Sequence, residues 1–395
     1  MSALKLLLPI LLACSALQPA SVNDVRAKST LDLSAPFEAG EHERNFELDV
    51  PTTGRYRCEI EYSAPKDTLI WVEAYPGNKD GRTYDITGPI HAPATGGSTG
   101  SIVRDGSPLQ AGKLAMRLHV AGEGCAVKDV RFTLLREHVV TPKVLEQSTD
   151  GDEWVLAWSD EFNGSGLPDQ DKWTHDLGNW GWGNRELQYY TEGKTENARQ
   201  EGGRLIIEAR PDKEGRGWTS ARLTTRGKVS FLYGRIEIRA KVPAVDGIWA
   251  AGWTLGDAYR DEISWPYCGE IDICEAVGKE IDDATGDGIN HGSCHTRAFY
   301  FKQNNHISNV IPVKRMNSEF HDYVCEWDKG EVRMYVDGEH YYTYDKTANE
   351  LEWPFASPQC LILNLAIGGG MGGAVMEGAG PQRFEIDHLR VYEKK

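Results

Sequence analysis

The stretch Gly269-Glu270-Ile271-Asp272-Ile273-Cys274-Glu275-Ala276-Val277-Gly278 sets three carboxylates among β-branched and small apolar residues. That is the composition of a strand with one acidic face and one core face. Plain alternation places Glu270 and Asp272 on one face and Glu275 on the other; an extra residue taken up as a β-bulge near Cys274 returns Glu275 to the acidic face. Four strand steps of roughly 3.3 Å then part the two glutamate Cα atoms by about 13 Å. Side chains leaning inward close this to about 5 Å, the spacing at which one carboxylate attacks an acetal carbon while the other, protonated, gives its proton to the leaving oxygen. Pairs that activate water for direct displacement stand wider, at roughly 6.5 to 9.5 Å. Crowding three carboxylates raises the pKa of at least one, so an acid survives near neutral pH. Asp272 would hydrogen-bond the attacking group and couple the two titrations. Spacing alone describes a solvated acidic strand face equally well.

The elements that must position these groups are strands throughout. In the C-terminal part they include Arg204–Ala209, Gly234–Val242, Val332–Val336 and Cys360–Leu365, and about 240 residues of short strands suit one large β-sandwich. Upstream, residues 29–136 alternate apolar and polar positions in runs such as Phe46–Val50, Tyr56–Tyr62, Leu114–Val120 and Val127–Leu134, which predicts a smaller antiparallel sandwich. Residues 137–152, with Thr141-Pro142 and Gln147–Gly151, read as a polar linker. The expected architecture is all-β, the domain at 153–395 following the smaller one. That first domain resembles, by no specific motif, the carbohydrate-binding sandwiches appended to polysaccharide-degrading enzymes; Trp71, Tyr75 and Tyr84 are either a sugar-stacking platform or packing residues.

Composition narrows the partners. Asp and Glu outnumber Lys and Arg by 59 to 43, a net charge of −16, so the surface repels phosphate backbones and nucleic acid is excluded as a partner. With 12 Trp and 16 Tyr, the chain carries the flat apolar faces that pack on sugar rings. Residues 1–20 contain the run Leu6–Ala13 after Lys5, too short for a membrane span of about 20 residues and consistent with an export signal. Leu11-Leu12-Ala13-Cys14 resembles a lipoprotein signal that would anchor the chain through Cys14; cleavage near Ala20 and plain secretion is the other reading. Eight cysteines on an exported chain point to disulfides, with Cys58–Cys125 the favoured bridge and at least one of Cys268, Cys274, Cys294, Cys325 and Cys360 left free. No Cys-x-x-Cys pair or His-Glu-x-x-His run supports a transition-metal catalyst.

Glu-Ile-Asp-Ile-x-Glu resembles the bulged signature of glycoside hydrolase family 16, the jelly-roll endo-glycanases. The likeness runs from about Trp154 to Tyr392 through Trp158–Phe162, Asn184–Thr191, Tyr233–Glu237, His291–Thr296 and Pro381–Asp387, all similar to the laminarinase branch. It implies Glu270 as nucleophile, Asp272 as its partner and Glu275 as acid and base. It further implies Trp249 and Trp253 in the cleft, His295 near the leaving-group sugar, Asn184, Glu186 and Arg222 on the donor side, and His291 supporting a turn. No cofactor is required for the chemistry, but the resemblance implies a structural calcium at Glu161, Gly203 and Asp387, an oxygen set suited to a hard cation. Two departures stand out: Cys274 replaces the usual Met, and Ala250-Ala251-Gly252 lacks the Pro and Phe common between the two tryptophans. The insertion Val277–Asn290 would alter the acceptor side. The implied protein is a monomeric, secreted or cell-surface retaining endo-β-1,3-glucanase acting on β-glucan. A hydrolase of agar or another galactan, a transglycosylase and a non-catalytic glucan-binding protein are the alternatives.

Overall fold

In the strand Glu43–Val50 every second residue is buried, beginning with Arg44, and the same period-two burial runs through Gly54–Ser63 and Gly234–Lys241. Each such strand presents one face to a core and one outward. The structure, a computed structural model, describes residues 24–26, 33, 35–38, 40–76, 82–212 and 217–395; the export segment and Cys14 lie outside them. Four sheets result. A four-stranded sheet (Asp24–Arg26, Ala126–Glu137, Gly54–Ser63, Gly100–Leu109) and a five-stranded one (Glu43–Val50, Gly112–Val120, Thr68–Ala74, with Tyr84–Asp85 and Ile90–Ala92) enclose a core containing Phe46, Tyr56, Ile60, Val72, Leu118 and Phe132. The fold is all-β; the one α-helix among the described residues is the single turn Gly369–Gly372.

The larger sandwich stacks a nine-stranded on a ten-stranded sheet. Seven strands of the nine-stranded sheet run in the order Val144–Glu146, Ser230–Leu232, Gln359–Ile367, Ile248–Gly256, Glu270–Val277, Gly288–His295, Ile307–Val313, and Arg222–Thr224, itself paired with Thr174–His175, joins at Gln359–Ile367. Its inner face (Leu363, Leu365, Ala250, Ile271, Ile273) meets Ile236, Ile238, Tyr323, Cys325 and Trp327 of the other sheet. Gly252 belongs to this packing: a Cβ there would stand 2.8 Å from Ile238 Cδ1, so a larger residue fits only if the facing Ile238 side chain shifts.

Several expectations are corrected. The segment 137–152 carries a strand, Val144–Glu146, paired in parallel with Ser230–Leu232, and is therefore built into the larger sandwich rather than hung between two. Cys58 and Cys125 are free thiols, as are the other five described cysteines, all buried. The antiparallel register pairs Cys58 with Phe132 and Ser63 with Ala126, leaving Cys125 several residues along the ladder; at roughly 3.3 Å per step the two Cα atoms lie far beyond the roughly 7 Å a disulfide spans. Tyr84 is buried in the smaller core, Trp71 stacks on His119 at 4.7 Å, and Tyr75 lies under Arg117 at 3.8 Å. Packing residues, not an open platform, is the reading these contacts support.

The two sandwiches meet closely. The Asp105 carboxylate accepts from Arg57 at 2.7 Å and from the Tyr189 hydroxyl at 3.0 Å, while its backbone exchanges hydrogen bonds with Asn179. Arg136 reaches the His175 carbonyl at 2.7 Å and the Glu192 carboxylate at 2.5 Å. Gly106, at φ +89°, lies so near Leu177 that a Cβ would fall 2.2 Å from its carbonyl oxygen; only glycine permits that approach.

Candidate active site

The acidic strand (Glu270–Val277) pairs with the tryptophan strand (Ile248–Gly256), and the register jumps: Gly252 faces Cys274, but Trp253 faces Asp272. Ile273 is the extra residue, so Ile273 and Cys274 both point into the core. Glu270, Asp272 and Glu275 all line one cleft, and the bulge expected from the sequence is what aligns them. On the tryptophan strand Trp249, Ala251, Trp253 and Leu255 line the same cleft by plain alternation.

Each carboxylate has its own partners. Trp265 Nε1 donates to Glu270 Oε2 at 2.8 Å, and Trp249 Nε1 donates to Glu275 Oε1 at 3.1 Å. The Ser293 hydroxyl donates to Asp272 Oδ2 at 2.6 Å. The neighbouring strand pairs Glu270 with His295 and Asp272 with Ser293; His295 Nε2 consequently lies 3.3 Å from Asp272 Oδ2 and 3.9 Å from Glu270 Oε1. His295 therefore sits at the Glu270 end of the triad, because the antiparallel register sets it directly across from Glu270. Asn290 fixes the bulge: its Oδ1 accepts from the Glu275 N–H at 3.0 Å, and its Nδ2 donates to the Ile273 carbonyl at 3.2 Å. His291 bonds Glu280 at 2.6 Å, bracing the turn that begins the insertion.

The electrostatics follow from burial. Desolvation, reinforced by the charge on Asp272, holds both Glu270 and Glu275 well above the usual carboxylate range. Burial acts to lower the His295 pKa, but the Asp272 hydrogen bond and the three surrounding negative charges outweigh it and push it up to about 9. An imidazolium is thus embedded among three carboxylates. Glu270 has that imidazole 3.9 Å away and the Trp265 indole N–H beside it, both of which favour its ionised form.

The remaining cleft residues form an open, aromatic-walled trough. Trp253 Nε1 donates to Asn364 Oδ1 at 2.7 Å, Asn364 Nδ2 to the Tyr190 oxygen at 3.1 Å, and the Tyr190 hydroxyl to Glu186 at 3.3 Å. Asn184 and Gln188 also donate to Glu186, whose carboxyl burial pushes up to about 7. Arg222 donates to Asp176 at 2.9 Å and covers the Trp253 ring at 4.7 Å. Trp249, Trp253, Asn184, Glu186 and Arg222 therefore all reach the cleft, with His295 just beneath it. Sequence reasoning missed Trp265, Trp182, Tyr259, Glu262 and Asn364, which line it too, and Ser293 and Asn290, which hold the triad. Trp265 lies five residues before Glu270 in an aromatic, Pro-containing segment, the one local signal that pointed to it. Trp173, Trp327 and Cys274 pack in the core.

The set implied for calcium does not fit a cation here. Both oxygens of Glu161 are held by Arg390, at 2.9 and 2.7 Å, and Asp387 bonds His388 at 2.9 Å. With both Glu161 oxygens held by Arg390, the set retains at most one Asp387 oxygen and the Gly203 carbonyl, short of the six to eight oxygen ligands calcium takes.

Residues 179–389 match the family model described as Glycosyl hydrolases family 16. Among curated relatives, a β-glucanase of Rhodothermus marinus is 45% identical over 259 residues, covering 62% of this chain and 88% of its own. The solved laminarinase of Rhodothermus marinus is 44% identical with a TM-score of 0.57, over 61% of this chain and 98% of its own. A laminarinase catalytic domain from Thermotoga petrophila is 40% identical with a TM-score of 0.55, over 62% and 99%.

Proposed function

The chain belongs to family 16 of the glycosyl hydrolases, and from that premise we propose that it is a secreted or cell-surface endo-β-1,3-glucanase that hydrolyses laminarin-like β-glucan with retention of configuration. The observation that carries the reading is the bulged strand that turns Glu270, Asp272 and Glu275 into one aromatic-walled cleft. The substrate rests on the laminarinases it resembles, and export rests on the leading apolar run Leu6–Ala13.

A glucan chain lies along the trough, its pyranose faces on Trp249 and Trp253 and its hydroxyls toward Asn184, Glu186, Arg222 and Asn364. Glu275, kept protonated by burial, gives its proton to the glycosidic oxygen as that bond to the anomeric carbon breaks. Glu270, its charge stabilised by Trp265 and His295, forms a bond to the same carbon. Having given up its proton, Glu275 is now a carboxylate. It accepts a proton from water, whose oxygen attacks the anomeric carbon and releases Glu270. Asp272, held by Ser293, keeps His295 protonated and so balances the charge on Glu270 through both steps. Capture of the intermediate by a second sugar would give transglycosylation from the same residues.

The test is product release from laminarin, mixed-linkage glucan, agarose and κ-carrageenan by the intact chain and by Glu270→Ala. Oligosaccharides from laminarin that vanish in the variant are expected. Release from a galactan alone overturns the substrate, and release from none favours a binding protein. Proton NMR of the first reducing ends should show the β anomer; the α anomer would refute double displacement.

A further inference from the structure

One wall of the cleft is supported by the other domain. Trp182 and Tyr259, both lining the cleft, stand on loops and not on sheet strands, and Trp182 has a positive φ of 54°. Behind them lies Arg55, from the strand Gly54–Ser63 of the N-terminal sandwich. Its guanidinium carbon is 5.7 Å from the Trp182 ring and 5.6 Å from the Tyr259 ring, and Nη1 is buried without a hydrogen-bond partner. On the cleft side of the same indole sits Arg222, 4.9 Å from Trp182 and 4.7 Å from Trp253, tied to Asp176 at 2.9 Å. Asp176 and Glu262 supply the negative charge that balances Arg55. A continuous series, Arg55, Trp182, Arg222, Trp253, thus leads from the outer face of an N-terminal strand to the cleft.

We propose that Arg55 is a positioning residue for the sugar-binding wall on the Glu270 side of the cleft, making the N-terminal sandwich part of the substrate site and not a tethered module. Trp249 and Glu275 mark the leaving-group end; Arg222, whose charge is felt by Glu270, and with it Trp182 and Tyr259, mark the other, so the residues that Arg55 fixes face the glycone. A cation between two rings restrains both of them, and loops without sheet hydrogen bonds of their own depend on such contacts for a fixed geometry. This inference rests on the glucanase reading.

The experiment compares the full chain with Arg55→Ala, Arg55→Lys and Arg136→Met on laminari-oligosaccharides of increasing length. Arg136 is the control, since it crosses the same domain junction to His175 and Glu192 but does not line the cleft. Arg55→Ala should raise KM roughly 3- to 30-fold for oligosaccharides long enough to reach the wall, the range expected for a cation held against aromatic rings. kcat should stay within about twofold, and added guanidinium ion should recover part of the loss. Arg136→Met should lower the melting temperature without moving KM. An unchanged KM in Arg55→Ala, or an equal rise in Arg136→Met, overturns the proposal. If Arg55→Ala does not fold, Arg55→Lys decides on the same comparison, because an ammonium does not reproduce the planar stacking of a guanidinium. A wild-type chain inactive on laminarin defeats the glucanase reading first; an active wild type with insensitive variants defeats only this one.

Discussion

Replacing Trp265 by Phe removes a single hydrogen bond to the group assigned as nucleophile. Trp265 Nε1 stands 2.8 Å from Glu270 Oε2, and the ring packs edge-on against Tyr300 at 5.3 Å, a contact that Phe can largely keep. A hydrogen bond to a charged acceptor is worth about 1.5–3 kcal/mol. Because the N–H stabilises only the ionised carboxylate, its loss raises the Glu270 pKa, by about one to two units at 1.36 kcal/mol per unit. Burial and Asp272 already hold that pKa high, so the variant ionises later still on the way up in pH. Glu270 must be ionised to attack, and the acid limb of kcat/KM against pH should move upward by the same one to two units. Below the wild-type limb the variant should be about 10- to 100-fold slower, with the difference narrowing as pH rises. The assay is reducing-sugar release from laminarin between pH 4 and 9, with circular dichroism to establish that the variant is folded. A limb that stays in place while activity falls equally at every pH would refute the reasoning: Trp265 would then bind sugar without tuning the nucleophile.

His295→Gln removes the only cation within 4 Å of the Glu270 and Asp272 carboxylates among the described residues; both glutamates should become weaker acids and laminarin hydrolysis near pH 6 should fall at least tenfold, and an unshifted pH profile would contradict this. The same imidazole, raised to about 9 from a usual value near 6.5, contributes stability that is complete below about pH 6.5 and is lost as pH rises through about 9, on the order of 3 kcal/mol; chemical denaturation at pH 6 and pH 9 should show wild type losing more than His295→Gln, and parallel losses would argue against a buried imidazolium. Thiol titration of the unfolded chain covering residues 24–395 should find seven free cysteines, with no change in melting temperature on adding dithiothreitol; a reductant-sensitive melt would show that some of them are paired. Chelation by EDTA should leave the melting temperature unchanged, since Glu161 is held by Arg390, and a fall of several degrees would show that calcium displaces that pair.

Much of the site was legible because its information is local. Carboxylates at 270, 272 and 275 among β-branched residues admit one arrangement that places all three on one face, and that arrangement requires the bulge later found at Ile273. Trp249 and Trp253 lie on a strand whose alternation aims both the same way. The same local logic failed wherever a partner came from elsewhere in the chain. Cys58 and Cys125 were plausible partners until the ladder register set them apart. Glu161 and Asp387 suited a cation until Arg390 and His388 met them.

By itself the sequence determined the all-β layering and a bulged acidic strand with three carboxylates on one face, because period-two burial and carboxylate spacing are properties of neighbouring residues; which carboxylate attacks and which donates a proton is implied only by the family resemblance. Only the tertiary structure decided that His295 stands across from Glu270, that Trp265 supplies its N–H to that carboxylate, and that Arg55 stands behind Trp182 and Tyr259 from the other sandwich. Those outcomes depend on strand register and on the packing of one sandwich against another, which pair residues far apart in the chain by shape and charge, with no trace in the spacing of either.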